Sequence, residues 1–567
     1  MKWIESSKKE IKEDLGLSEV VHKILSNRLA DHDQDEVYQF LNPTLSYLEH
    51  PKEMKDLEKA SDVICKVIES GEQIAVHGDY DVDGITSTII LCKTIQQLGG
   101  DVSWWLPNRA KDGYGISKRF IEKCKKDKPS LIITVDCGIT EHEKIKELSD
   151  AGIDVVITDH HTVNSEGVPK SAKVVVDPHR EDESCQFKNL AGVGVAFKLC
   201  WSICEKLSSN LSVSLQDYLQ WILPYVGIGT ISDVMPLVGE NRIIVSKALD
   251  LININCIDDG LKYLLSVSKL NVGSITSRDI GFMLAPRINS AGRMDDPSIA
   301  FDCLFNDDEG KAFELDSLNL RRKDISETLT EKAILEAAKQ CSMDDVVLII
   351  SGKGWHHGVV GIVAGRVAET LGRPTIILNI NDKGIASGSA RSIPGFNLYN
   401  AVSASASKVL RFGGHAQALG VALNEEDIEE FRKEINREEL YEKIDTPQDS
   451  EPSMSFDCEV SIQQIKPQLM RDLDKLEPFG EANPEPIFVS RGVEVSKFKT
   501  MGEGSKHFNA VFYHAGSSLR GVGFNCPQLI EDYDESTEKY DVAFFPVWNT
   551  FRGSKTLELR IKDMKPT

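Results

Sequence analysis

The stretch IAVHGDYDVDGITS, residues 74–87, sets aspartates at 79, 81 and 83 and follows them with Gly84. An EF-hand calcium loop spaces its acids similarly, but it closes the coordination sphere with a bidentate acid at loop position twelve. Counted from Asp79, that place is held by Ile90. The flanks point elsewhere. EQIAVHG, 72–78, reads as a short buried strand, and ITSTIILCKTIQQLGG, 85–100, as a helix ending at glycines. The context is strand, loop, helix.

The same punctuation recurs downstream. SLIITVDCG reaches Asp136, IDVVITDHH reaches Asp159, His160 and His161, and AKVVVDPH reaches Asp177. Continuous Val/Ile runs alternating with helical segments predict a parallel sheet buried on both faces, and such sheets bind ligands beyond the carboxyl ends of their strands. The aspartates therefore converge on one rim. Capping of the following helix explains any one of them. It does not explain three acids in five residues plus adjacent histidines, because clustered like charges repel unless a cation offsets them. Oxygen donors with some imidazole favour Mn²⁺ or Mg²⁺ over thiolate-loving metals. The spacing suits two ions, with His77 and Asp81 aimed at one, Asp83 at the other, and Asp136 able to bridge.

At 567 residues the chain exceeds a single hydrophobic core and predicts several domains. With 41% hydrophobic and 27% charged residues, the composition is that of globular domains. The amino-terminal MKWIESSKKEIKEDLG lacks the apolar core of a signal peptide, and no apolar run is long enough for a membrane span, so a cytoplasmic protein without membrane partners is expected. The twelve cysteines form no CxxC pair; Cys200 and Cys204, one helical turn apart in FKLCWSICEKL, read as buried thiols. The net charge of −23 argues against coating nucleic acid through a broad basic face and leaves room for a local basic channel.

VHGDYDVDG, TVDCG, TDHH and GTISDVMPL, in that order, resemble the DHH phosphoesterase family. The resemblance implies His77, Asp81 and Asp136 on one ion, and Asp83, Asp136, His160 and Asp233 on the other. It places His161 towards the scissile phosphate and gives Asp159 the work of orienting an imidazole. The catalytic set it implies is Asp83, Asp136, His160 and His161. PNRAKDGYGIS, APRINSAGRMDDP, GWHHGVVGIVAGR, ASGSARS, FGGHAQALG and LEPFGEANPEPIF, from Arg109 to Phe488, narrow the resemblance to the RecJ single-strand-specific exonucleases. That similarity implies 5′-to-3′ degradation of single-stranded DNA to 5′-mononucleotides in repair and recombination, with a single-strand-binding protein and a repair helicase as partners. Arg109, Arg287, Asn289 and Arg293, read as loop residues, belong to its phosphate-contacting motifs. Ser389, Arg391 and the glycine-rich turn before His415 offer the hydroxyl, guanidinium and N–H donors that hold a terminal phosphate.

The fold expected is α/β: a catalytic parallel-sheet domain joined by a long helix to a second α/β domain, then a C-terminal OB barrel. Residues 1–50 read as helices packed against the catalytic unit, 51–255 as the DHH domain, and 256–340 as a helical connector whose stretch 311–340 holds no Gly or Pro. Residues 341–440 read as the DHH-associated domain. After the polar linker TPQDSEPSM, 446–454, the region 452–567 carries five short alternating strands. Phe508, Phe512, Tyr513, Trp548 and Phe551 are its candidate base-stacking aromatics, and Phe551 and Arg552, in a hairpin loop, are the best placed for exposure. Two other functions remain open at this point: a phosphodiesterase for cyclic dinucleotides or short oligonucleotides, against which the third domain counts, and a non-catalytic DNA-binding scaffold, against which the retained ligand set counts.

Overall fold

The computed structural model describes residues 2–6, 11, 15–29, 31–109, 111–113, 115–437, 453–551 and 554–567. They form two compact units, one of Met1–Leu48, Val234–Lys247 and Ser450–Thr567, the other of Glu49–Asp233 and Ala248–Asp449.

In the first unit, β1 (Lys2–Glu5) pairs with a strand that opens the C-terminal region. The second unit opens with a wholly parallel sheet of β2 (Gln73–His77), β3 (Asp101–Trp105), β4 (Leu131–Val135), β5 (Asp154–Thr158) and β6 (Val174–Val176), in the order β3-β2-β4-β5-β6. Each predicted apolar run is a strand, and each stops within a residue or two of its aspartate. Helices cover both faces. Val82–Gln97 is buried along nearly its whole length, consistent with its apolar sequence, while Lys118–Asp127 and His142–Asp150 bury Phe120, Ile121, Ile145 and Leu148. Cys200 and Cys204 lie free and buried on the helix Gly192–Lys206.

The predicted long helix is Glu309–Gln340, capped by Asp308. Leu329, Ala333 and Ala337 on its last turns share a core with the second sheet. That sheet comprises β7 (Leu348–Lys353), β8 (Thr375–Ile380), β9 (Ile385–Arg391), β10 (Val409–Gly414) and β11 (Ala418–Asn424), in the order β10-β11-β9-β8-β7, with only β7 and β8 parallel. The helix Val360–Leu371 makes the crossover between them.

In the C-terminal region, β12 (Ser453–Phe456) takes β1 as its parallel partner and β13 (Cys458–Glu459) adds to β14 (Phe488–Met501). The strands β14, β15 (His507–His514), β16 (Ser517–Gly523), β17 (Tyr540–Phe551) and β18 (Ser554–Pro566) close through a β14–β17 pairing, giving the five-stranded barrel. Most of the expected linker, 446–452, lies outside the described residues.

One expectation is corrected. The N-terminal helices, expected to pack against the catalytic unit, instead put Val21, Ile24, Leu25, Val37 and Phe40 into one apolar cluster with Leu469, Phe488, Phe508 and Phe544 of the C-terminal region. The first residues are strand, not helix, and Trp3 Nε1 donates to Asp563 at 2.8 Å. Arg242 completes this unit, its buried guanidinium donating to the carbonyls of Phe40, Lys475 and Leu476.

Candidate functional site

The β2 strand delivers His77, and a four-residue turn leads into the helix Val82–Gln97. Gly84 lets the turn close, because a Cβ there would stand 2.5 Å from the Asp79 nitrogen. Asp81 is the N-cap, accepting from Gly84 N at 3.2 Å. Asp83 faces inward, and its two oxygens accept from Gly192 N at 2.7 Å and Val193 N at 2.8 Å, the first amides of the helix Gly192–Lys206. Positive charge from these unpaired amides suits a carboxylate.

Asp136 follows β4 in the left-handed region, φ 58°, a conformation aspartate tolerates better than most residues. Asp159 follows β5 and ties its own turn: Oδ1 accepts from His160 N, His161 N and His161 Nδ1, the last at 2.7 Å, and Oδ2 accepts from Ile139 N. Asp177, after β6, is fully buried and accepts from His179 N at 2.6 Å.

Among the described residues three groups offer ligand atoms within 4.8 Å of one another: Asp136, His160 and His161; Asp83, His160 and Asp233; and Asp79, Asp81 and Asp136. His160 Nε2 stands 3.2 Å from Asp136, 3.6 Å from Asp233 and 3.7 Å from Asp83. Asp136 and His160 are each shared by two groups. Asp79, outside the ligand sets the sequence implied, is inside one. His77 belongs to none; its ring is buried against Phe120, centroids 4.5 Å apart, with Nδ1 3.5 Å from Cys137 Sγ.

Four buried atoms here have no hydrogen-bond partner among the described residues: His77 Nε2, Asp79 Oδ1, Asp136 Oδ1 and His160 Nε2. The charges tell the same story. Burial, then the Asp81 charge, pushes Asp79 well above the usual carboxylate range. Burial and Asp233 do so to Asp83, burial and Asp83 to Asp136, and burial with Asp81 pushes Asp233 up to about 7. Burial lowers His77 to about 3 and, with the His161 charge, His160 to about 4, so both rings are neutral donors of lone pairs. His161 goes the other way: burial opposes its charge, but the Asp159 bond outweighs that and holds it up to about 9. Unpartnered lone pairs among repelling carboxylates are the donor arrangement that an oxygen-rich divalent-cation site requires. The donor set fits Mn²⁺ or Mg²⁺.

A second cluster in this unit is basic. The Arg109 guanidinium lies 5.6 Å over the Tyr80 ring. Arg293 donates to the Gly358 carbonyl at 3.4 Å and is pushed down to about 10 by burial and then by the Arg109 and Arg322 charges. Arg391, ending β9, is lowered by burial and by Arg109. Gly361, in the first turn of Val360–Leu371, is so close that a Cβ would meet Ser389 Oγ at 3.2 Å and Arg391 Nη2 at 3.3 Å. Among the described residues none of these three arginines has a carboxylate partner. A hydroxyl, crowded guanidinium groups and a helix N-terminus are the donors an anion site would use. His357, not among the residues expected at the phosphate site, lies beside this cluster, where burial and the Arg109 charge lower it. Its signal was the paired histidine of GWHHG just before the helix.

Other predicted contacts fall differently. Arg287 and Arg293 are not loop residues but lie on the helix Ala285–Met294. Arg287 is withdrawn from the phosphate set, since it donates to Asp316 and to the Met283 carbonyl and is buried. Asn289 is half-buried on the same helix, and His415 is exposed in the β10–β11 turn. In the barrel, Phe508 and Phe512 are core, Trp548 is half-buried with Lys555 Nζ 4.8 Å from its ring centre, and Tyr513 is 42% exposed. The Phe551 side chain and Arg552 lie outside the described residues. Phe524, 61% exposed, was not anticipated.

Three family models match the chain: the DHH family N-terminal domain over residues 73–223, the DHHA1 domain over 344–439, and the RecJ OB domain over 456–563. The single-stranded-DNA-specific exonuclease RecJ of Bacillus subtilis is 34% identical over 561 residues, covering 98% of this chain and 69% of that protein. Its namesake in Escherichia coli is 30% identical over 91% of each. Among solved structures, RecJ of Thermus thermophilus in complex with Mn²⁺ superposes with a TM-score of 0.81 at 27% identity, covering 100% of this chain and 79% of that one.

Proposed function

Because this chain belongs to the RecJ family of single-stranded-DNA-specific exonucleases, we propose that it hydrolyses single-stranded DNA from the 5′ end to 5′-mononucleotides at a two-cation centre. The reading rests on the four unpartnered polar atoms of His77, Asp79, Asp136 and His160, buried among carboxylates whose mutual repulsion a bound cation relieves without protonating them.

One ion falls to Asp81 and Asp136, with Asp79 and His77 beside them, and the other to Asp83, Asp136, His160 and Asp233. Mn²⁺ or Mg²⁺ so held supplies Lewis acidity for the phosphodiester and an activated water. The chain's own residues do the remaining work. Asp159, which accepts from His161 Nδ1 at 2.7 Å, fixes that ring, which turns towards a phosphate oxygen. Arg109, Arg293, Ser389 and Arg391 hold the strand's terminal phosphate, with His357 beside Arg109. A pocket that binds one phosphate end-on counts nucleotides from that end, which is the physical basis offered for 5′ polarity.

The barrel supports single-strand binding through Tyr513, Trp548 and Phe524. No helix among the described residues is long and apolar enough to cross a membrane. We place the reaction in the cytoplasm, in repair and recombination, with a single-strand-binding protein and a helicase supplying the strand. The test is digestion of end-labelled single and double strands and of a dinucleotide, with and without Mn²⁺. Metal-dependent release of 5′-mononucleotides from single strands, abolished by Asp136→Ala with the fold retained, is expected; turnover by that variant, or preference for the dinucleotide, overturns the reading.

A further inference from the structure

His160 is held from both sides of its backbone, and only one of the two restraints belongs to the motif that contains it. Its N–H donates to Asp159 Oδ1 at 2.8 Å. Its carbonyl accepts from His179 Nδ1 at 2.7 Å. A carbonyl only accepts, so this bond fixes the tautomer of His179 with the proton on Nδ1.

His179 is in turn anchored. Its N–H donates to Asp177 Oδ1 at 2.6 Å, and Asp177 is fully buried at the end of β6. That strand runs in register with β5, Thr158 opposite Val176, and Asp159 N donates to the Val176 carbonyl at 3.1 Å. The sheet edge therefore carries a chain of bonds from β6 through Asp177 and His179 to the His160 carbonyl. The His160 ring then stands with Nε2 within 3.2–3.7 Å of three carboxylates from Asp136, Asp233 and Asp83.

We propose that His179 is a positioning residue for the cation centre, acting through the His160 carbonyl to hold that imidazole towards the carboxylates. The proposal rests on the two-cation reading above. Partners that orient a metal-binding histidine typically change metal affinity or activity about 10–100-fold when removed. The His179 side chain is one-third exposed, so its truncation opens no sealed cavity.

His179→Ala in the full chain is expected to weaken Mn²⁺ binding, measured by calorimetry without DNA, about tenfold or more. It should lower kcat at limiting metal while leaving KM for a single strand unchanged. His179→Asn, whose amide can donate from nearly the same place, should recover most of the binding. Mn²⁺ affinity equal to the parent's in His179→Ala overturns the proposal, as does a raised KM with unaltered Mn²⁺ affinity, which would make the ring a DNA contact. Failure of the parent itself to bind Mn²⁺ strikes the two-cation reading instead. Melting temperatures of the metal-free variants separate both results from unfolding.

Discussion

Gly192→Ala is the substitution with which the site's geometry predicts most from one methyl group. A Cβ at residue 192 would lie 2.6 Å from Asp136 Cβ and 2.7 Å from Asp136 Oδ1. Bringing the first contact out to 3.4 Å, an ordinary van der Waals distance, demands a displacement of about 0.8 Å. The same residue's N–H donates to Asp83 Oδ2 at 2.7 Å, so backing the helix away trades one clash for a weakened bond to a second acid. Both acids belong to the proposed cation set. A misplacement of about 1 Å at a reacting centre costs about 10²-fold in rate. The fold should tolerate the change: overpacking costs about 1–3 kcal/mol, and alanine regains about 0.5–1 kcal/mol over glycine in a helix. The expected result is kcat on single-stranded DNA lowered about 100-fold at saturating Mn²⁺, with a melting temperature close to the parent's. Parental kcat in Gly192→Ala would refute the argument that the first turn of Gly192–Lys206 sets the position of Asp136.

Arg391→Ala should abolish the preference for 5′-phosphorylated over 5′-hydroxyl strands; rates compared on both substrates check it, and an unchanged ratio removes Arg391 from the pocket. The acidic cluster sets a pH dependence. Asp233, held up to about 7 against about 4 when unfolded, takes up its proton more readily in the native state, so the stability it contributes is full below about pH 4 and lost as pH rises through 7. Metal-free protein should therefore melt higher at pH 5 than at pH 8, and Mn²⁺ should raise the melting point more at pH 8; a flat profile contradicts this. In the barrel, neighbouring aromatics should separate cleanly. Phe512→Ala, in the core, should cost about 3–5 kcal/mol in denaturant titration, whereas Tyr513→Ala should leave stability unchanged and lower single-strand affinity by about 1–3 kcal/mol.

Where the sequence could be read, the signal was local. The four apolar runs ending at Asp79, Asp136, Asp159 and Asp177 are buried parallel strands because continuous Val/Ile is what such strands require, and the stretch without Gly or Pro is the helix Glu309–Gln340. What escaped is non-local. The pairing of β1 with β12 joins residues some 450 positions apart, and no periodicity in the four residues Lys2 to Glu5 announces their partner. Arg242 likewise looks like a surface residue until four carbonyls from two distant segments converge on it.

The arginines of APRINSAGRM show how one misjudged element propagates into function. Pro286 and Gly292 made the stretch look like a loop, yet proline is favoured in a helix's first turn, and Gly292 is required by packing, since a Cβ there would stand 2.9 Å from the Tyr80 carbonyl. Once the stretch is helical, Arg287 and Arg293, six positions apart at about 100° each, point about 240° round from one another. In this structure they have different partners. One turns to Asp316, and the other joins Arg109 beside Tyr80. The aspartates of DYDVDG obey the same logic. Alternation suggested acids aimed in two directions, but the helix begins between them. Asp81 uses one oxygen as its cap and still belongs with Asp79 and Asp136 to one group of ligand atoms, so the capping role does not remove it from the proposed cation set.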